Sequence, residues 1–168
     1  MFAVGDKIMY GSEGVFSVAE YTSSPIDKND TRVFYVLRPV SSHSSNSMVI
    51  APSEGGAAVI RPVIGREEAL ALIESIPKIE TVTVERERMR REVYRAVMSG
   101  GRCEDFVSII KTVRIRRAEF AAQKRRLAET DTDFEGRAYN CLLGELSVAL
   151  DTEREQVADM VMAKLISE

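Results

Sequence analysis

Residues 58–75 read Ala58-Val59-Ile60-Arg61-Pro62-Val63-Ile64-Gly65-Arg66-Glu67-Glu68-Ala69-Leu70-Ala71-Leu72-Ile73-Glu74-Ser75, and the texture of the chain changes within them. Up to Pro62, apolar residues come in short β-rich runs. Beyond it they recur with helical spacing, as Ala69, Leu72 and Ile73 do on one face of a helix near 66–75. Period two followed by period 3.6 predicts an α+β chain, with a sheet domain over 1–62 and a helical domain over 63–168.

Working back from Pro62, five short segments rich in Val, Ile, Phe and Tyr appear. They are Lys7–Tyr10, Val15–Tyr21, Val33–Leu37, Met48–Ile50 and Ala58–Ile60. Turn residues separate them: Gly11 to Gly14, Ser23 to Asp30, the Ser-rich run Ser41 to Ser47, and Pro52 to Gly56. About sixty residues of this kind avoid open edges most economically as a small, strongly curved five-stranded barrel.

Working forward, Pro77 stops the first helix. A second, near 84–98, stacks Met89, Val93, Ala96 and Val97 and halts at Ser99-Gly100-Gly101. A third starts near Cys103 and presents Phe106, Ile109, Ile110 and Val113. Thr132 with Glu135, and Thr152 with Glu155, have capping-box spacing ahead of two further helices, the last carrying Val157, Met160, Val161 and Leu165. The second part thus reads as a compact bundle of about five helices.

The 168 residues are 45% hydrophobic and carry a formal net charge of −3, which excludes wholesale disorder. No apolar run approaches the roughly 18–20 residues of a membrane span, and the first residues lack the pattern of a signal peptide, so a soluble cytoplasmic protein is expected. Two cysteines build neither a disulfide framework nor a four-ligand zinc site.

Total charge hides an asymmetry. Residues 1–83 carry 7 basic and 10 acidic side chains, residues 84–126 carry 13 and 6, and residues 127–168 carry 3 and 10. A basic block between acidic ones suggests a surface that faces a polyanion, because local field steers association. Neutralisation of the blocks against one another inside the fold explains the same counts.

Groups for catalysis are scarce. The single histidine, His43, lies in the Ser-rich run, and Cys103 at a helix start, where its pKa could fall, has no second histidine to serve as base. Cys141, between Ala138 and Leu142, reads as core. None of the glycine clusters has phosphate-loop or dinucleotide spacing. No catalytic residue, metal ligand, cofactor or small-molecule substrate is expected.

The second helix is more telling. With Arg86 at zero and about 100° per residue, Met89, Val93, Ala96 and Val97 fall near 300°, 340°, 280° and 20°, whereas Arg88, Arg91 and Arg95 fall near 200°, 140° and 180°. Guanidinium groups on one stripe suit a phosphate backbone, being always charged and forked. Pairing of Glu87 with Arg91 and of Arg88 with Glu92 would make the same stripe an ordinary solvated face. A second cluster, Arg114, Arg116 and Arg117 followed by Lys124, Arg125 and Arg126, has only Glu119 opposing it and extends a composite phosphate-binding surface. A chain without tryptophan does not suit base stacking on single strands.

In order and spacing, these pieces resemble the CarD family of bacterial transcription regulators. The carriers are Val4-Gly5-Asp6, Ile8, Tyr10 and Gly14; Val63-Ile64; the Arg-rich helix ending at Ser99-Gly100; Phe106-Val107 with Ile109-Ile110; and Leu142-Leu143-Gly144-Glu145-Leu146. The resemblance implies a Tudor-like barrel that docks on the RNA polymerase β subunit and a helical domain that touches promoter double-stranded DNA and stabilises the open complex. Met48, Val49 and Ile50 then match a polymerase-facing strand, with Ile50 where a basic contact is usual. Arg88 and Arg91 keep the family's basic positions, and Arg86 stands where the family has a tryptophan wedge in the minor groove. Arg86, Arg88, Arg91, Arg95, Arg114, Arg116 and Arg117 are the expected DNA contacts. The competing expectation is an adaptor that binds polymerase or another protein without touching DNA, its basic block packed against acids of residues 151–159.

Overall fold

The computed structural model describes residues 1–40 and 47–167; His43 and the rest of 41–46 lie outside them. Among the described residues a five-stranded antiparallel sheet precedes five α-helices. The strands are β1 (Lys7–Tyr10), β2 (Val15–Thr22), β3 (Phe34–Pro39), β4 (Val49–Pro52) and β5 (Ile60–Pro62), arranged in the order β4-β3-β2-β1-β5. The ladder is open, with β4 and β5 as its two ends rather than paired with each other.

Register explains how so short a sheet serves two cores. Ile8 lies opposite Phe16 and Met9 opposite Val15, so successive residues point to opposite faces. One face gathers Ile8, Phe16, Val18, Tyr35, Leu37 and Ala51 into a cluster of its own. The other sends Met9 and Val15 into the main cluster, which is otherwise built by the helices. A bulge at Ala19 bends β2 between the two pairings with β3.

The helices are α1 (Arg66–Ser75), α2 (Arg90–Ser99), α3 (Cys103–Ala122), α4 (Glu129–Leu150) and α5 (Arg154–Ile166). α1 buries Ala69, Leu72 and Ile73, and α3 buries Phe106, Ile109, Ile110 and Val113, the faces that the spacing predicts. α5 buries Val157, Val161 and Leu165 but leaves Met160 partly exposed, because a three-residue seam at i, i+4, i+8 suffices to seat it. Neither expected capping box forms. α4 begins a turn earlier, at Glu129, and Thr132 bonds back to Glu129 O from inside the helix; Thr152 bonds to Leu150 O. Glu129 and Asp131 in the first turn of α4 supply the negative charge that its N-terminus favours.

Sheet and bundle are joined by a buried carboxylate. Glu145, fully buried on α4, accepts from Arg61 Nη1 at 2.5 Å and Nη2 at 2.7 Å, from the Ile64 amide at 3.1 Å and from Cys103 Sγ at 3.0 Å. Arg61, at the end of the sheet, also donates to Gly101 O from Nε at 2.9 Å. Burial opposes the charge on Arg61, but the Glu145 hydrogen bonds and charge outweigh it and raise its pKa. Gly101 has a φ of 67°, and a Cβ there would sit 3.0 Å from Gly11 O, so the helical loop and the β1–β2 turn meet backbone to backbone.

Candidate nucleic-acid interface

The basic segment starts as extended chain at Arg86, makes one 3-10 turn over Glu87–Met89 and becomes α2 at Arg90. The buried face of α2 is Arg90, Tyr94 and Met98, flanked by half-buried Val93 and Val97. The expected seam of Met89, Val93, Ala96 and Val97 is therefore rotated away: Met89 and Ala96 are exposed. An arginine displaces them because its fork is satisfied inside. Arg90 donates to Glu87 Oε2 at 3.0 Å and Oε1 at 2.7 Å, and to the Tyr94 hydroxyl at 2.9 Å. Its stem then packs as an apolar residue would.

That contact opens a network. Tyr94 Oη donates to Asp131 Oδ1 at 2.7 Å, and Asp131, fully buried, is also held by Arg116 Nε and Nη2 at 3.2 Å. Arg116 reaches Glu87 as well, from Nη1 at 3.0 Å. The Arg90 hydrogen bond, with the charges of Arg90 and Arg116, holds the Glu87 carboxyl down to about 2 against the opposing effect of burial. Burial first, and then the hydrogen bond to Asp131, push the Tyr94 hydroxyl up to about 12, with Arg90 opposing. The start of α2 is thus fixed to α3 and α4 by five charged or phenolic side chains.

The network sorts the seven arginines expected to meet DNA. Arg86, Arg88 and Arg95 are exposed and carry no ion pair or side-chain hydrogen bond among the described residues. Arg91 is exposed and donates from Nη2 to Thr130 Oγ1 at 3.1 Å. Arg114 is exposed and leans on Met162, Nη1 to Sδ 3.6 Å. Arg116 is turned inward, as described, and Arg117 forks onto Glu135 at 2.6 and 2.7 Å. The second cluster is in good part neutralised by α4, with carboxylates from 131 and 135 and not from 151–159. Beyond it, the α3 C-terminus folds Arg125 over the Phe120 ring at 4.5 Å, with Arg116 at 4.8 Å.

Sequence reading missed Arg90, Tyr94, Asp131 and Glu87 as the frame of this surface. The Glu87-x-x-Arg90-x-x-x-Tyr94 spacing is the signal that carries it, since residues three and four apart meet on a helix. Of the expected protein-facing residues, Met48, just before the terminal strand β4, and Ile50 within it are exposed, while Val49 is half-buried against the sheet's own cluster. Both cysteines are buried. Burial and the neighbouring Glu145 push the Cys103 thiol up, the reverse of the activation that its helix-start position suggests, and burial pushes Cys141 up to about 12. Among the described residues no helix is long and apolar enough to cross a membrane. No family model matches the chain, and no curated protein matches it.

Proposed function

We propose that the chain is a CarD-like transcription regulator: its sheet, as a Tudor-like module, docks on the RNA polymerase β subunit through β4, and Arg86, Arg88, Arg91 and Arg95 grip promoter duplex. The observation that carries this reading is that, among the described residues, Arg86, Arg88 and Arg95 stand exposed without a carboxylate partner, while Glu87, between the first two in sequence, is neutralised by Arg90 and Arg116. A guanidinium row of this kind exchanges condensed counterions for phosphate contacts. Among the described residues β4 pairs with β3 alone, so its other edge, with Met48 and Ile50 exposed nearby, offers main-chain groups for strand addition.

Footprinting of a polymerase–promoter complex with and without the protein tests partner and location together; added protection at the upstream edge of the melted region is expected, and an unchanged footprint refutes the reading. For the DNA contact alone, Arg88→Ala with Arg91→Ala should flatten the dependence of log affinity on log salt by up to about 1.8, at roughly 0.9 for each phosphate released. An unchanged slope removes these residues from the contact. In the adaptor reading, duplex affinity is absent while polymerase binding persists.

A further inference from the structure

The exposed charges of the helical part are segregated along α4. Arg91 reaches Thr130 in the first turn of α4, so Arg86, Arg88 and Arg91 stand at that end of the helix. Lys124, Arg125 and Arg126, just ahead of α4, add to them, against Glu85, Glu92 and Glu129. At the other end Arg66 donates from Nη1 to Leu150 O at 3.0 Å, which seats the first turn of α1 against the last turn of α4. Glu67 and Glu68 of α1, Asp151 in the α4–α5 turn, and Glu153 and Glu155 at the start of α5 gather there. All five are exposed and carry no side-chain hydrogen bond or ion pair among the described residues. The nearby cations Arg66 and Arg154 are turned to Leu150 O and Asn140 Oδ1. From Thr130 to Leu150 the helix rises about 30 Å, at roughly 1.5 Å per residue.

Part of this pattern is ordinary helix electrostatics, since acids favour helix N-termini and Glu67, Glu68 and Glu155 sit in first turns. Asp151 and Arg91 do not fit that account. Asp151 is the C-cap of α4, whose last turn has no basic residue, and Arg91 lies in the first turn of α2. Each is set against the helix field at its own position. A Debye length of about 8 Å at physiological salt screens the two ends from one another within one chain, so neither offsets the other. A second copy of the chain carries the complement of each.

We propose that the acidic end of one copy docks on the arginine end of the next, so that the chain associates head to tail. The two patches are different surfaces, so the contact is heterologous and copies add in a row instead of closing as a two-fold dimer. Exposed ion pairs are individually weak and screened by salt, which confines the association to low salt and high protein concentration. Resting on the DNA-binding reading above, the same arginines meet either a neighbouring copy or duplex, and self-association regulates the DNA contact.

The test is analytical ultracentrifugation of the full chain at rising protein concentration, in about 20 mM and about 300 mM salt. Wild type should show an average mass that climbs past that of a dimer at the lower salt and stays monomeric at the higher. Arg88→Glu with Arg91→Glu, or Glu153→Lys with Glu155→Lys, should each stay monomeric at both. Combining all four substitutions reverses the charges of the two ends and should recover the association. The four positions are exposed, and circular dichroism verifies the fold. If lysines disturb the start of α5, the milder Glu153→Gln with Glu155→Gln should still lower the average mass. A wild-type chain that is monomeric at low salt, a mass that levels off at a dimer, or a folded four-fold variant that does not associate overturns the proposal. Added duplex should disperse the wild-type rows. Rows that form but persist in excess duplex refute the DNA-binding reading alone, and a chain that binds duplex yet stays monomeric at low salt refutes this proposal alone.

Discussion

Removing the Glu145 carboxylate should be among the most damaging single changes available to this molecule. The side chain is fully buried and accepts four hydrogen bonds, two of them from the guanidinium of Arg61, which is itself only 20% exposed. Breaking a buried pair by deleting one partner costs about 3–5 kcal/mol, because the other charge is stranded. Arg61 keeps Gly101 O and Pro62 O as acceptors, which places Glu145→Ala near the lower end, while the orphaned Ile64 amide adds on the order of 1 kcal/mol. A loss of about 4 kcal/mol, with a urea slope of about 2 kcal/mol/M, lowers the midpoint by about 2 M. Far-ultraviolet circular dichroism during urea unfolding reads this directly. Pairing Glu145→Leu with Arg61→Met removes both charges, so the double variant should be markedly more stable than the sum of the singles predicts. A midpoint shift below about 0.5 M for Glu145→Ala, or strict additivity in the double variant, refutes the assignment of the junction to this ion pair.

Gly101→Ala places a Cβ in the left-handed region, 3.0 Å from Gly11 O, and should cost about 2–3 kcal/mol, a fall in thermal midpoint of about 5–10 °C; an unchanged midpoint shows that the two turns separate without penalty. Glu87 is held down to about 2, so the stability it contributes is complete above about pH 4.5 and fades as pH falls to about 2. The side chain is well exposed, so the contribution is discounted to about 1 kcal/mol. Wild type and Glu87→Gln should therefore differ in urea midpoint at neutral pH and converge near pH 2, and a difference that stays constant with pH contradicts the pairing.

The sequence states some of this architecture openly and hides the rest for identifiable reasons. α1 and α3 are legible because their buried positions are aliphatic or aromatic and follow an unbroken 3.6 period. α2 is not. A 3-10 turn precedes it, and its buried face is led by an arginine whose charge is satisfied locally, so a hydrophobic wheel aligns on Val93, Ala96 and Met89 and turns the helix the wrong way. Thr132 and Thr152 show the limit of a spacing rule: the same four-residue pattern sits inside one helix and ahead of another without capping either. The exposed arginines 86, 88, 91 and 95 are readable from charge and spacing alone. That Arg116 and Arg117 are neutralised depends on α4 lying against α3, a long-range contact that local charge counting does not contain. Sheet closure is a similar case, since five strand-like segments do not specify whether the first and last ladders meet.

Met9 and Val15 belong to a sheet but are packed in the helices' core, and Arg61 finds its counter-charge on α4. Anyone excising either half at Pro62 would therefore lay bare two apolar side chains on one fragment and an unmatched, formerly dry carboxylate on the other. Grafting a foreign head onto this bundle would need three replacements at once: the greasy pair, the guanidinium and a glycine turn for Gly101 to rest on. The chain is better handled as a single engineering part than as two modules in series.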